Sequence, residues 1–294
     1  MSSAADDPAL VPPLPDTLRL GPVHLTVSDL DGSIAFYERT LGLRLHDRDG
    51  EVATLGTGGE DLLVLVEEAG AAPGARHAGL FHFALLFPTR AELARAVLRL
   101  ASAGTRIEGA SDHGVSEAIY LRDPDDNGIE LSVDRPRADW PPPRHEGDRV
   151  DMFTIALDMK DLIREVEGEG PRDHAGPGIA VGHVHLHVGD VDRGLAFYRD
   201  VLGFEVMGLL PSAAFVSAGG YHHHLGFNVW LGPDVKPLPP NTAGLRHWTV
   251  LLASRDELAA VRARVEAAGI ETRNHETGFL ARDPWQTAVV FSAG

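Results

Sequence analysis

Three residues carry the strongest chemical signal in the chain. They are His24 in Val23-His24-Leu25-Thr26-Val27, His82 in Phe81-His82-Phe83-Ala84-Leu85, and Glu130 in Ile129-Glu130-Leu131-Ser132-Val133. Each is a polar group in the middle of an apolar, strand-like run. A buried carboxylate or imidazole without a partner costs several kcal/mol, so these groups need one another, a metal, or both. Two imidazoles and one carboxylate form the donor set of an open-sided metal site, which leaves coordination positions free. A single strand histidine is more often a hydrogen-bonded core residue, so the fold must bring the three together for them to act as one site.

An internal duplication supplies the elements that position them. Residues 21–45 (GPVHLTVSDLDGSIAFYERTLGLRL) match 182–206 (GHVHLHVGDVDRGLAFYRDVLGFEV), aligning His24 with His185. Residues 81–104 match 246–269, aligning His82 with His247, and 120–131 match 280–291. Val23, Leu25 and Val27 alternate with His24 and Thr26, the pattern of a half-buried strand. Ser28 or Asp29 can then cap a helix whose Ile34, Tyr37 and Leu41 share a face, with Gly42 ending it. Short apolar runs follow at 52–55 and 62–66. A strand at 80–87 and a helix at 91–103 begin the next unit. The periodicity therefore predicts four units, each a strand, a helix and about three strands.

The expected organisation is a disordered tail (1–17), a first paired domain with the metal site (18–136), a connector with a short strand and helix (137–179), and a second paired domain (180–294). Val11-Pro-Pro-Leu-Pro15 could dock on a neighbouring surface. The chain of 294 residues is comfortable for two cores. It has no cysteine, which excludes a disulfide scaffold and thiolate ligands and fits a cytoplasmic location. A formal charge of −17 argues against nucleic acid and anionic membranes as partners. No apolar stretch is long enough to span a bilayer.

Four βαβββ units paired two by two, with histidines opening them, resemble the vicinal oxygen chelate superfamily of extradiol dioxygenases, glyoxalase I and bleomycin-resistance proteins. The fold class this resemblance implies is α+β, with the modules forming two barrel-like domains. A narrower motif lies at His113, Ile119-Tyr120, Asp123-Pro124, Asp126 and Glu130. It is similar to that of the two-domain catechol 2,3-dioxygenase group. Two positions depart from it. Ser111 stands before the His where another type is usual, and Asp126 replaces the turn glycine, for which Gly128 could supply the flexibility.

By position, the resemblance implies that His24, His82 and Glu130 hold Fe(II), with Mn(II) as the alternative and Ni or Zn as adventitious occupants. It implies His113 as acid/base and Tyr120 as a hydrogen-bond partner of the substrate, a small aromatic diol attacked by O2. Asp112 and Glu117 are candidates for partners behind the ligands, or solvated loop charges. The second half keeps His185 and His247, but Val290 and Leu280 stand where Glu130 and Tyr120 stand. His185, His247, His222 and His224 are candidates for a second metal site there, set against a metal-free polar cavity. A homo-oligomer is the default assembly. Two other functions compete. A glyoxalase-type isomerase or lyase would need a further carboxylate, for which Glu67 is the candidate, and a bleomycin-resistance-like binder would not need the triad.

Overall fold

The structure is a computed structural model that describes residues 11–74, 76–144 and 147–293. A short strand β1 (Arg19–Leu20) precedes the first unit, which comprises β2 (Val23–Val27), α1 (Leu30–Phe36), β3 (Arg44–Asp49), β4 (Val52–Gly56) and β5 (Asp61–Glu67). The second is β6 (Gly79–Leu86), α2 (Arg90–Ser102), β7 (Gly109–Asp112), β8 (Ser116–Arg122) and β9 (Gly128–Asp134). The connector holds β10 (Ile155–Ala156) and α3 (Met159–Arg164). The third unit is β11 (Ala180–His187), α4 (Val191–Tyr198), β12 (Glu205–Leu210), β13 (Ala213–Ser217) and β14 (Leu225–Asn228). The fourth is β15 (Gly244–Leu252), α5 (Arg255–Ala267), β16 (Arg273–His275), β17 (Gly278–Arg282) and β18 (Ala288–Ala293). This is the α+β architecture of four βαβββ modules.

The helices start where the sequence supplies caps. The side chains of Asp29, Thr89, Asp190 and Ser254 each accept from a backbone N–H in the first turn. In the first unit α1 passes into a wider π-turn at Tyr37–Leu41, and Gly42 ends it at φ 71°. No helix among the described residues is long and apolar enough to cross a membrane.

Pairing between units departs from the expected order. Among the described residues two nine-stranded sheets form, and each mixes the two halves of the chain. β2 of the first unit pairs antiparallel with β15 of the fourth, and β6 of the second pairs antiparallel with β11 of the third. The expected domains 18–136 and 180–294 are thus not separate paired barrels. Periodicity decides which face of a strand is buried but not which edge it meets, and each unit opens with an edge strand able to pair with any other.

Contacts between consecutive units come from elsewhere. The hydroxyl of Tyr37 donates to Asp123 Oδ2 at 2.8 Å, joining the first unit to the second. Tyr198 donates to Asp283 Oδ2 at 2.9 Å, joining the third to the fourth in the same way. Asp283 Oδ1 also accepts from the backbone N–H groups of Trp285 and Thr287. Burial pushes the Asp283 carboxyl up to about 6, against these donors. Tyr198→Phe removes one hydrogen bond to a buried carboxylate, and its expected cost is about 2 kcal/mol. Chemical denaturation should show a lower midpoint with an unchanged slope.

The described part of the connector contributes to the second-and-third sheet. β10 pairs antiparallel with β7 at Ser111 and Asp112. Part of the expected disordered tail is also fixed. Leu14 is buried and its N–H donates to the Gly203 carbonyl at 2.8 Å, while Arg264 donates to Pro12 O at 2.7 Å. The apolar Leu14 and Leu18 join the core, which explains the docking of 11–17. The first ten residues lie outside the described residues.

Candidate metal centre

His82, Glu130 and His183 meet on three adjacent strands, β6, β9 and β11. Backbone register explains the convergence. Ala84 is the Cα partner of Glu130 on one side and of His183 on the other, and His82 is the next residue on the same face. Phe83 and Leu85 point to the opposite face and join the core; Ala84, also buried, does not belong to that cluster. Its small side chain leaves the space into which its neighbours lean.

The donor atoms form a tight triangle. His82 Nε2 lies 3.1 Å from Glu130 Oε2, His183 Nε2 lies 3.3 Å from the same oxygen, and the two Nε2 atoms are 3.3 Å apart. Ligands about 2.1 Å from one ion would be separated by about 3.0 Å in octahedral and about 3.4 Å in tetrahedral geometry. The observed edges fall in this range, so the residues fit a divalent cation. All three side chains are buried. Burial alone would push the Glu130 carboxyl up, but His183 and His82 outweigh it and hold it well below its usual range. Burial pushes the His82 imidazole down despite Glu130, which keeps it in the neutral, ligating form. A buried carboxylate between imidazoles leaves a negative charge that a cation would neutralise.

His24 does not join this cluster. It lies on β2 in the other sheet, its ring stacked on His247 at 3.9 Å, because β2 pairs with β15. The third imidazole comes instead from His183, which sequence alignment left aside in favour of His185. A usable signal was present. His82 lies seven residues before its helix cap Thr89, and His183 lies seven before Asp190. His247 keeps the same spacing to Ser254, whereas Pro22 holds that position before Asp29. His24 and His185 are each two residues too late. His185 is buried beside the trio, with its Nε2 3.0 Å from Asn228 Nδ2.

His113 and Tyr120 fall beside the trio. Tyr120 is the direct cross-strand partner of Glu130, and its ring lies 5.6 Å from that of His82. Tyr120 and His113 Nε2 are hydrogen bonded at 2.8 Å, and His113 Nδ1 is 3.0 Å from the Phe153 carbonyl oxygen. That carbonyl only accepts, so Nδ1 carries the proton and Nε2 accepts from the Tyr120 hydroxyl. Burial and the adjacent Glu130 push the Tyr120 phenol up, keeping it protonated. Phe153 belongs to the connector, which thereby fixes the tautomer.

Asp112 and Glu117 serve another purpose. Arg135 Nη2 donates to both, at 2.7 Å and 3.0 Å, and Arg90 bridges Glu117 to Asp161 and Glu165 of the connector. They anchor the connector through an arginine network and do not back the ligands. Asp126 itself takes the left-handed turn conformation at φ 68°. Gly128 has no positive φ; it is required because a Cβ there would overlap the Phe81 carbonyl oxygen.

The four histidines expected to form a second metal site do not converge. His185, His222 and His224 belong to the third unit and His247 to the fourth, in the other sheet. His222 Nε2 is 2.9 Å from Asp134 Oδ1, and its Nδ1 is 2.8 Å from His223 Nδ1. His224 bonds Ser217 Oγ at 2.9 Å. His223, not singled out beforehand, packs its ring 4.1 Å from that of His183.

Similarity to known proteins agrees with this architecture. A catechol-2,3-dioxygenase of Bacillus subtilis (strain 168) is 42% identical over 276 residues, covering 92% of this chain and 95% of that protein. A biphenyl-2,3-diol 1,2-dioxygenase of Paraburkholderia xenovorans (strain LB400) is 29% identical over 120 residues, 35% of this chain and 37% of its own. Among solved structures, glyoxalase I from Zea mays shares the fold with a TM-score of 0.55 at 18% identity, covering 94% of this chain and 92% of that one. The profile of the Glyoxalase/Bleomycin resistance protein/Dioxygenase superfamily matches residues 19–131 and 180–287, and with this coverage the chain belongs to that superfamily.

Proposed function

We propose that this chain is an Fe(II)-dependent extradiol dioxygenase that opens a catechol-type ring beside its diol, with the metal held by His82, Glu130 and His183. The observation that carries this reading is the triangle of two imidazoles and one carboxylate with the hydrogen-bonded Tyr120–His113 pair beside it. The similarity to a catechol-2,3-dioxygenase over nearly the whole chain supports the dioxygenase class.

A bound divalent metal with open positions would bring a diol and O2 together and lower the pKa of the ring hydroxyls. The protein's own groups then manage the proton. The Tyr120 oxygen can accept a proton from a ring hydroxyl as it passes its own to His113 Nε2. The Phe153 carbonyl stabilises the imidazolium through Nδ1–H. The three donors are buried, which strengthens the electrostatic interactions among them. Both oxygen atoms of O2 enter the product, and the C–C bond next to the diol breaks to give a yellow hydroxymuconic-type compound. The isomerase alternative needs a further carboxylate at Glu67, and that residue ends β5 in the other sheet.

Anaerobic reconstitution with Fe(II), followed by a panel of 3- and 4-substituted catechols and air, tests the proposal. Oxygen uptake equal to yellow product is the expected result. Neither signal across the panel overturns it. His113→Phe should keep stoichiometric iron but lower kcat by roughly 10²–10⁴-fold, the usual worth of a positioned acid/base.

A further inference from the structure

Beside the metal ligand His183 runs a chain of three side chains that the Tyr120–His113 pair does not use. Asp134 ends β9, and because side chains alternate along a strand it shares a face with Glu130, four residues earlier. Its Oδ1 lies 2.9 Å from His222 Nε2, and His222 Nδ1 lies 2.8 Å from His223 Nδ1. The His223 ring then packs 4.1 Å from that of His183. The strand that supplies the metal carboxylate thus also anchors two imidazoles of the third unit.

Donors and acceptors in this chain follow one from the next. A carboxylate only accepts, so His222 Nε2 carries a proton. Both imidazoles are buried, and burial holds each below its usual range, His222 despite Asp134 beside it, so both are neutral. A neutral His222 protonated on Nε2 has a bare Nδ1, which accepts. His223 Nδ1 must therefore donate, and His223 Nε2 is bare. That nitrogen has no hydrogen-bond partner among the described residues, yet unlike His82 Nδ1 it keeps accessible surface, so a ligand can reach it. The ring lies against His183, so such a ligand stands beside the metal donors.

The duplication shows that the fold of the unit does not demand this pair. β14 pairs parallel with β11 and β5 with β2, so Leu225 beside Val184 matches Leu63 beside Val23. Three and two residues earlier, Glu60 and Asp61 stand where His222 and His223 stand. Those acids turn to Arg19 at 3.2 Å and His46 at 2.7 Å. In the sheet of the first and fourth units, Val290 replaces Glu130, Pro22 replaces His183, and the cavity has no metal donors to serve. The paired imidazoles accompany the metal donors.

We propose that Asp134 is a positioning residue of the ring-cleavage site: through His222 it holds His223 with its proton on Nδ1 and so presents Nε2 as a hydrogen-bond acceptor to a substrate hydroxyl. Only the last step rests on the dioxygenase reading; the tautomer lock is a property of the folded chain. Nitrogen NMR of the full-length protein, labelled with ¹⁵N at histidine and loaded with Zn(II) in place of iron, reads the tautomer of each ring. The His223 signals are those that vanish in His223→Phe. In the unmodified chain they should show Nδ1 protonated and Nε2 bare. In Asp134→Leu and in His222→Phe the proton should move to Nε2, the position an imidazole side chain prefers in water. Reconstituted with Fe(II), both variants should keep stoichiometric iron and lose roughly 10–100-fold in kcat/KM for catechol, the usual worth of a partner behind a site. A proton on Nε2 of His223 in the unmodified chain, an unchanged tautomer in both variants, or a changed tautomer with unchanged kcat/KM would each overturn the assignment. Loss of iron from both variants would make the chain a support of His183 and overturn it as well. An unmodified chain that shows the lock but cleaves no catechol would overturn the dioxygenase reading and the substrate step with it, and leave the lock standing.

Discussion

His183→Ala is expected to lose stoichiometric metal and ring cleavage together, while His24→Ala keeps both. His183 supplies one corner of a triangle whose edges are 3.1–3.3 Å, so removing it leaves two donors for the ion. Loss of a hydrogen-bond partner behind a ligand already costs roughly 10–100-fold in affinity, and loss of the ligand itself should cost more. His24 packs against His247 in the other sheet, on a strand that pairs with none of the three donors' strands. Metal analysis of anaerobically reconstituted variants, alongside oxygen uptake, decides the matter. The reverse pattern would return the site to His24 and remove His183 from it.

Ala84→Leu should abolish metal binding with a smaller loss of folding stability. Ala84 is fully buried between the backbone partners Glu130 and His183, on the face that carries His82. A leucine there adds three carbons into the space that the donors occupy. Overpacking costs about 1–3 kcal/mol, which a protein of this size can absorb. The donors, forced apart, no longer share one ion. A folded protein by circular dichroism that lacks stoichiometric iron is the expected result; full iron occupancy would show that the space at Ala84 does not set the donor spacing.

Much of this was legible in the chain. The helix cap at Asp29, the duplication and the alternation of Val23, Leu25 and Val27 are local patterns, and local patterns are what sequence records directly. His82, Glu130, His113 and Tyr120 fall together because one unit carries all four, so no assumption about partners was needed. His183 was missed because its ring comes from a different unit. The alignment on the conserved-looking His24–His185 pair also drew attention two residues away from it. Which unit pairs with which is a long-range choice between similar edge strands, and periodicity holds no information on it. The roles of Asp112 and Glu117 were hidden for a related reason. Their partners Arg90 and Arg135 are distant in sequence, and the acids are distinguished from solvated charges only by that network.

The crossed pairing of units gives the chain the symmetry of an intertwined dimer of half-length molecules fused end to end. In such a dimer each cavity would draw its last two donors from one copy and its first from the other, and the two cavities would be identical. Fusion releases that identity. A substitution in the third unit alters only the cavity it shares with the second, so His183 and Glu130 can persist while Pro22 and Val290 occupy the matching places across the molecule. One chain can therefore keep a metal centre in one cavity and evolve a different binding chemistry in its twin, which two identical half-chains could not do.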